Sequence, residues 1–276
     1  MQKSVDMKNQ PSIKDVKLIV SDMDGTLLNE EKQLPNGFFE MLDQLWQRGI
    51  RFAIASGRSY PTLYEQFKEV ADRMTFIAEN GSCIVDRGEL LSACYLKPEE
   101  AKRLYDIIRM VPGIYPLMSC LKHVYVPGYA SEEAKRIVRA YYANDSIACF
   151  DEMEDIEEPV IKITICCPDG AGETGMPYLT EIRSPYQVIW SGYYWIDCFA
   201  ECASKGEGIG VIQKRLGITK EESMLFGDYL NDLSMVPFCY FSYAMANSHP
   251  DFLTACRFRT ASNTEDGVME VLRKIV

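Results

Sequence analysis

Short apolar runs alternate with amphipathic segments near both ends of the chain. The segment 35–48 is amphipathic, because its apolar residues recur at helical spacing. These residues are Phe38, Met41, Leu42 and Leu45. Continuous apolar runs are typical of strands that are buried on both faces. We therefore predict strands over 16–21, 51–55, 75–78, 194–199, 223–227 and 240–245, and helices over 35–48, 60–71 and 205–216.

The middle of the chain has a different pattern. Here acid-rich or Gly- and Pro-rich connections, such as 151–159 and 168–177, separate the elements. The predicted helices are 97–110 and 131–142, and the predicted strands are 123–126, 160–166 and 187–190. Without regular strand–helix alternation, this order favours an antiparallel sheet with helices rather than a parallel one.

The two patterns together predict an α/β protein with a discontinuous layout. Residues 16–82 and 198–276 would form a Rossmann-like core, a doubly wound parallel sheet with helices. Residues 83–197 would form an inserted α+β domain, and residues 1–15 an N-terminal tail. A chain of 276 residues is long enough for two such domains.

Composition and charge restrict the class of partner. The chain is 47% hydrophobic and 25% charged, which is typical of a globular protein. Its formal net charge of −11 argues against non-specific binding to nucleic acid or to an anionic membrane. There is no apolar run of membrane-spanning length, and the polar N-terminus does not resemble a secretory signal. We therefore expect a cytoplasmic protein that binds neither nucleic acid nor membranes.

The cysteines are expected to be buried, reduced thiols. There are ten of them, they are scattered, and several lie within apolar runs. No CxxC pair is present. A zinc site or a disulfide framework is the alternative interpretation.

The candidate chemistry lies where predicted strands end. In a parallel sheet the carboxyl ends of the strands share one edge, and ligands bind there. The residues at these positions are Asp22, Asp24, Gly25 and Thr26, then Ser56, Gly57 and Arg58, and finally Asp228, Asn231 and Asp232. Lys205 begins a predicted helix. We expect these groups to meet at a single site.

The charges of these groups indicate what the site could bind. Clustered aspartates would repel one another, so one would take up a proton unless a cation lay among them. Carboxylate oxygens suit Mg²⁺, which uses few protein ligands together with waters and phosphate oxygens. The Ser56 hydroxyl and the Lys205 ammonium could bind an anion, while Gly25 and Gly57 allow close approach of backbone N–H groups. This combination favours phosphoryl transfer.

Four segments resemble the ordered motifs of the haloacid dehalogenase superfamily of phosphohydrolases. They are DMDGTL, ASGR, SKGEGI and GDYLND, which begin at Asp22, Ala55, Ser204 and Gly227. The long insert between the second and third motifs resembles the type IIB cap domain. AENG, AMANS and NTEDGV resemble segments of the Cof-type subfamily. The resemblance extends over nearly the whole chain, although the cap matches only in layout.

The resemblance implies roles in catalysis and metal binding. Asp22 would be the nucleophile and would form an aspartyl-phosphate. Asp24 would protonate the leaving oxygen and then activate water. The Asp24 backbone carbonyl and the carboxylates of Asp22 and Asp228 would hold Mg²⁺.

The resemblance also implies a phosphate-binding set. Ser56 and Lys205 would bind the transferring phosphoryl group, with help from the amides near Met23 and Gly57. Two asparagines, Asn231 and Asn247, would contact the phosphate or orient the nucleophile. Asp232 would fix Lys205 or a metal-bound water.

These roles predict a Mg²⁺-dependent phosphatase that acts on a small phosphorylated metabolite, such as a sugar phosphate. A phosphosugar mutase of the same superfamily and a non-catalytic phosphometabolite-binding protein are the alternatives. The cap would select the substrate because it covers the leaving group. Lys162 and Arg183 could contact the substrate there, or could equally lie on the surface. We expect a monomer or a homodimer.

Overall fold

The computed structural model describes residues 11–142, 146–179 and 186–276. Its strands are β1 (Leu18–Asp22), β2 (Arg51–Ala55), β3 (Thr75–Ala78), β4 (Cys83–Asp86), β5 (Glu89–Ala93), β6 (Tyr115–Ser119), β7 (Val124–Pro127), β8 (Ile147–Phe150), β9 (Lys162–Cys166), β10 (Tyr186–Gly192), β11 (Trp195–Ala200), β12 (Ser223–Gly227), β13 (Phe241–Ala244) and β14 (Phe258–Arg259). Its α-helices are α1 (Phe38–Gln47), α2 (Tyr60–Gln66), α3 (Pro98–Ile108), α4 (Glu132–Tyr141), α5 (Ala171–Thr174), α6 (Met176–Leu179), α7 (Lys205–Leu216), α8 (Pro250–Ala255) and α9 (Gly267–Leu272).

The chain divides into two compact units. The first contains Met1–Ala55, Arg73–Thr75 and Lys205–Val276, and the second contains Ser56–Asp72 and Phe76–Ser204. These units group residues by mutual packing. The predicted core and cap boundaries, which assign residues to domains by family layout, stay a prediction.

The first unit is built on parallel strands in the order β14-β13-β12-β1-β2. Every residue of β1 and of β12 is buried, as expected for parallel strands covered on both faces. Helix α1 buries Phe38, Met41, Leu42 and Leu45, the apolar face that the sequence predicts. It ends before Gly49, whose φ of 73° suits a glycine at a helix terminus. The predicted α/β class with a parallel, doubly wound sheet is confirmed.

The second unit contains a mainly antiparallel sheet in the order β10-β11-β9-β6-β7-β8, with β7 and β8 parallel. One face of it packs in an apolar cluster with α3, which includes Leu104 and Ile163. The other face packs against α4 in a second cluster, which includes Ile137 and Cys166. The hairpin β4–β5, which is not part of this six-stranded sheet, turns at Arg87 and Gly88, both with positive φ, as a tight hairpin turn requires. This mixed layout is the α+β insert predicted for the middle of the chain.

Some predicted elements differ from the structure. The helix predicted over 60–71 ends at Gln66, because the backbone leaves helical geometry at Phe67 (φ −115°) although Phe67 stays buried. The predicted connection 168–177 contains α5 and the start of α6, which are too short for a periodic signal. The sequence interpretation also missed β4, β5, β6, β8 and β14.

The expectation of reduced cysteines is wrong for one pair. Cys94 and Cys202, which are 108 residues apart, are joined by a disulfide in the second unit, with their Cα atoms 6.7 Å apart. The other cysteines are free, and most of them are buried, as predicted. Cysteine spacing could not indicate this pair, because connectivity follows from the fold rather than from sequence distance. In the described ranges, no helix has the length and apolar character to cross a membrane.

Candidate active site

Asp22 lies at the carboxyl end of β1, which pairs with β12 on one side and with β2 on the other. Its Cα pairs with that of Ala55 in β2. The chain then turns sharply, since the amides of Leu27 and Leu28 both donate to the Met23 carbonyl. Gly25 has a φ of 82°, which favours glycine. The turn therefore leaves the carboxylate of Asp22 at the sheet edge.

Lys205, the first residue of α7, connects two of the aspartates. Its side chain is only 1% exposed, and Nζ donates to Asp22 Oδ1 (2.6 Å) and to Asp232 Oδ1 (2.7 Å). Burial alone would lower the pKa of Lys205, but the charges of Asp22 and Asp232 outweigh burial and raise it. Lys205 is therefore a fixed positive charge in contact with both aspartates, of which the family resemblance implied only the contact with Asp232.

The start of α7 can approach this site because its second residue is glycine. A Cβ added at Gly206 would lie 1.9 Å from the backbone oxygen of Ser234. Ser234 belongs to the 3₁₀ helix Leu230–Phe238, which also carries Asp232. Close packing of these two helices therefore places the Lys205 ammonium beside the Asp232 carboxylate.

Asp228 follows β12, and its side chain is held by the turn that follows β1. Its Oδ1 accepts a hydrogen bond from the Thr26 hydroxyl at 2.9 Å. A Cβ at Gly25 would lie 2.5 Å from Asp228 Oδ2, so glycine is required for this approach as well as for the turn. Asp232 Oδ2 accepts from the backbone amides of Asp228 (2.9 Å) and Tyr229 (3.3 Å). Sequence reasoning named Thr26 but gave it no role.

Carboxylate oxygens of Asp22, Asp228 and Asp232 lie within 4.8 Å of one another. Burial, and then repulsion by Asp232, raise the pKa of Asp22 well above its usual value, although Lys205 opposes them. The same two causes raise the pKa of Asp228 to about 6. Three acids with one ammonium leave an excess of negative charge, which a bound cation would offset.

The donor set fits a hard divalent cation such as Mg²⁺. Both oxygens of Asp232 are taken up by Lys205 and by two amides. Among the residues that the structure describes, hydrogen bonds reach only the Oδ1 atom of Asp22 and of Asp228. The second oxygens of Asp22 and Asp228 are thus the available ligands, while Asp232 holds Lys205 in place.

Asp24 lies on the turn after β1, and Asn247 packs against that turn. The exposed Asp24 carboxylate forms an ion pair with Lys32, with Nζ 2.8 Å from Oδ1. Asn247 donates to the Gly25 carbonyl (2.8 Å) and accepts from the amide of Asn263 (3.2 Å). The Asn263 side chain in turn donates to the Leu28 carbonyl at 2.9 Å. Two asparagines therefore hold the turn; the sequence interpretation named the segment NTEDGV, which begins at Asn263, but gave Asn263 no role.

The other predicted phosphate ligands belong to both units. Met23 and Asn231 are in the first unit, and Ser56 and Gly57 are in the second. Met23 is fully buried and Asn231 is exposed on its 3₁₀ helix. Ser56 and Gly57 directly follow β2, but they belong to the second unit. Ser56 Oγ accepts from the amide of Arg58 at 3.2 Å, and Lys162 donates to the Gly57 carbonyl at 3.0 Å. Their contact with a phosphoryl group stays a prediction.

Comparison with known proteins agrees with the family resemblance of the sequence motifs. Residues 19–272 match the sequence model of the haloacid dehalogenase-like hydrolases. The 5-amino-6-(5-phospho-D-ribitylamino)uracil phosphatase of Escherichia coli is 29% identical, over 95% of this chain and 96% of that protein. A haloacid dehalogenase-like hydrolase from Bacteroides thetaiotaomicron superposes with a TM-score of 0.83 at 26% identity, over 95% of this chain and all of that one.

A further structural likeness concerns the fold alone. The solved structure of a sugar phosphatase of subclass IIB of the superfamily is 24% identical and superposes with a TM-score of 0.77. The superposition covers 95% of this chain and 100% of that chain. It therefore includes the inserted domain as well as the parallel sheet, in agreement with the predicted type IIB cap.

Proposed function

The chain belongs to the haloacid dehalogenase-like hydrolase family, and from this membership and its site we propose that it is a Mg²⁺-dependent phosphatase of a small phosphorylated metabolite. The predicted superfamily and Cof-type assignment are confirmed by the match to the family model. The prediction of an enzyme of the phosphatase class is confirmed because relatives that match nearly the whole chain are named phosphatases. The metal, the intermediate and the residue roles are our proposal.

The observation that carries the proposal is the buried Lys205 ammonium on one oxygen of Asp22. This contact fixes the carboxylate at the end of β1, so that one of its oxygens can attack phosphorus while the other faces the proposed cation. In the first step, the bond from a carboxylate oxygen of Asp22 to phosphorus forms and the phosphorus–ester oxygen bond breaks. Asp24 gives its proton to the leaving alcohol. Lys205 offsets part of the charge on the phosphoryl oxygens.

The second step returns the enzyme to its starting state. Water attacks the phosphorus of the aspartyl-phosphate, and the bond between phosphorus and Asp22 breaks. Asp24 accepts the proton of that water, and inorganic phosphate leaves. The exposed position of Asp24 on the turn supports this role, because proton exchange requires access to substrate and water.

The acidic cluster supports a Mg²⁺ site. Asp22, Asp228 and the Asp24 carbonyl would be its protein ligands. When bound, the ion would neutralise carboxylate and phosphate charge and so favour attack by an anion on an anion. Asp232 would act through Lys205, whose position it fixes.

The substrate is proposed at the level of its class. The relative from Escherichia coli is named for a phosphate ester of a ribityl-substituted uracil, and the subclass IIB structure for a sugar phosphate. We therefore propose that the substrate is a phosphate monoester of a sugar or a sugar alcohol. We also propose that the protein is cytoplasmic and that it is a monomer or a homodimer. Arg183, one candidate cap contact, lies outside the described residues.

Hydrolysis of an aryl phosphate and of a panel of phosphorylated sugars, nucleotides and cofactors tests the proposal. We expect phosphate release that requires Mg²⁺ and that falls at least roughly 10³-fold in Asp22→Asn. Asp251→Asn, at a side chain that is 74% exposed, should retain wild-type activity. Full activity of Asp22→Asn, or no hydrolysis of any ester with Mg²⁺, would contradict the proposal. Phosphorus NMR would reveal a mutase as an isomerised ester instead of free phosphate.

A further inference from the structure

Three charged side chains meet in the interior of the second unit. Lys162 on β9, Glu79 after β3 and Asp197 on β11 are all less than 4% exposed. Lys162 Nζ lies 2.6 Å from Glu79 Oε2 and 3.1 Å from Asp197 Oδ1. Thr164 also donates to Asp197 Oδ1, at 2.8 Å. The alternative that Lys162 lies on the surface is therefore wrong.

Burying three charged side chains together costs desolvation free energy. Desolvation of buried charges often outweighs their attraction, so an ion pair is weak grounds for stability. Burial alone would lower the pKa of Lys162, but Asp197 and Glu79 raise it well above its usual value, so the ammonium stays charged. Its remaining contact is not with an acid, and this contact points to a function.

Lys162 Nζ donates to the backbone carbonyl of Gly57 at 3.0 Å, across 105 residues. Gly57 lies in the ASGR motif, the predicted phosphate-binding loop. The carbonyls on either side are also held: Ser56 O accepts from the Asn80 amide (2.9 Å) and Arg58 O accepts from the Glu79 amide (3.0 Å). Three successive carbonyls of the loop are thus bound within the second unit.

The peptide between Gly57 and Arg58 links Lys162 to Ser56. In a trans peptide the C=O and the following N–H point in opposite directions. When Lys162 holds the Gly57 carbonyl, the N–H of Arg58 is directed the other way, and there it donates to Ser56 Oγ at 3.2 Å. A serine oxygen that accepts this bond keeps its own O–H proton for another acceptor.

The residues that hold the loop are themselves constrained. Glu79 and Asn80 have φ values of 52° and 53°, a left-handed conformation that is uncommon for residues other than glycine. A Cβ at Gly57 would lie 3.1 Å from Asn80 Nδ2. The loop therefore packs tightly on the Glu79–Asn80 turn, and Lys162 contacts both segments.

We propose that Lys162 is a positioning residue for phosphate binding: it fixes the Gly57–Arg58 peptide, so that the Ser56 hydroxyl presents its proton to a phosphoryl oxygen. The proposal rests on the function proposed above. It also gives β9 of the inserted sheet a direct connection to the phosphate-binding loop. Lys162 does not need to contact the substrate to act in this way.

The test compares Lys162→Met with Asp197→Asn, which disturbs the same cluster but keeps the contact with Gly57. Binding of inorganic phosphate in the presence of Mg²⁺ is measured by calorimetry, together with KM, kcat and Tm. We expect Lys162→Met to weaken phosphate binding and kcat/KM by about 100-fold, as misplaced binding groups do. Asp197→Asn should change Tm but leave phosphate affinity within about twofold. Equal phosphate affinities in the two variants would overturn the proposal.

Two double variants test whether the effect of Lys162→Met comes from a loss of stability and whether Lys162 acts through Ser56. Glu79→Gln/Lys162→Met keeps the net charge of the cluster at −1, because both an acid and a base are lost, and it replaces Lys162→Met if that variant is unstable. Ser56→Ala/Lys162→Met should bind phosphate no more weakly than Ser56→Ala, since both changes remove one interaction. Multiplying losses would contradict the route through Ser56. A wild-type protein that binds phosphate but hydrolyses no ester would contradict only the phosphatase function.

Discussion

The Thr26 hydroxyl donates a hydrogen bond to Asp228, one of three carboxylates that lie close together. Burial and repulsion make the charged form of Asp228 unfavourable, and the Thr26 hydrogen bond opposes both. Thr26 itself is 1% exposed. Its hydroxyl therefore favours the charged form of a proposed metal ligand and orients its carboxylate.

We predict that Thr26→Val weakens Mg²⁺ binding about tenfold, because residues that orient metal ligands typically contribute that much. Thr26→Ser retains the hydroxyl and serves as the matched control. The measurement is the Mg²⁺ concentration at half-maximal phosphatase activity. If the valine variant needs no more Mg²⁺ than the serine variant, the Thr26 hydroxyl does not orient a metal ligand.

Sequence reasoning could predict some of the site residues but not others. Asp22, Lys205, Asp228 and Asp232 stand at strand or helix ends, and the topology of a parallel sheet brings such ends together. Thr26 and Asn263 gave no such signal, since a hydroxyl or amide near a turn is usually a local capping group. Their partners depend on side-chain directions that only the folded chain specifies.

At the scale of elements, Glu158 holds the hairpin of β6 and β7. Its carboxylate accepts from the Lys122 amide at 3.0 Å and from Tyr125 OH at 3.2 Å, and it pairs with His123. Burial alone would raise the pKa of Glu158, but the hydrogen bonds of His123, Lys122 and Tyr125 outweigh burial and lower it. The ionised carboxylate is therefore the form that stabilises the hairpin.

This lowered pKa predicts a pH-dependent contribution to stability. A carboxyl group with a depressed folded pKa stabilises above its unfolded pKa, here near 4.5, and the contribution is lost as pH falls through the folded value. Wild type should exceed Glu158→Gln in unfolding free energy at about pH 6, and the difference should shrink by about pH 3. Urea unfolding at both pH values measures it. Glu157→Gln, at an exposed neighbour, should show no such change.

Element bounds could be predicted where a single physical signal dominated. Residues 51–55, 75–78 and 223–227 agree with β2, β3 and β12 at both ends, since the apolar runs there stop at polar or glycine residues. Residues 205–216 agree with α7, which Gly217 follows. Strand β6 was missed because it contains Pro116, which argues against a strand within a sheet. The Pro116 ring is accommodated because sheet pairing, a tertiary effect, overrides the local preference.

At the scale of the whole molecule, a small part of the acidic charge is crowded into one site. The net charge is −11, and three of the carboxylates share one site with a single lysine. Because repulsion within the site opposes folding, a cation that binds there should stabilise the entire first unit.

We predict that Mg²⁺ raises the Tm of the protein and that a chelator reverses the increase. A metal concentration one hundred times Kd would add about 2.7 kcal/mol to the unfolding free energy. Asp228→Asn should lose most of this dependence and should be more stable than wild type without metal, because one repelling charge is removed. Thermal unfolding monitored by circular dichroism provides the measurement. Equal Mg²⁺ dependence in both proteins would exclude Asp228 as a ligand.

The long sequence separations within the site have a consequence during synthesis. Asp22 and its lysine partner are 183 residues apart, and Thr26 and Asp228 are 202 apart. At translation rates of about 5–20 residues per second, roughly 10 to 40 s pass between the synthesis of Asp22 and the synthesis of Lys205. During that interval the nascent chain has no catalytic centre. Phosphatase activity therefore requires that β12 has joined β1, and its onset in a cell-free translation reaction gives an upper bound on the time of that pairing.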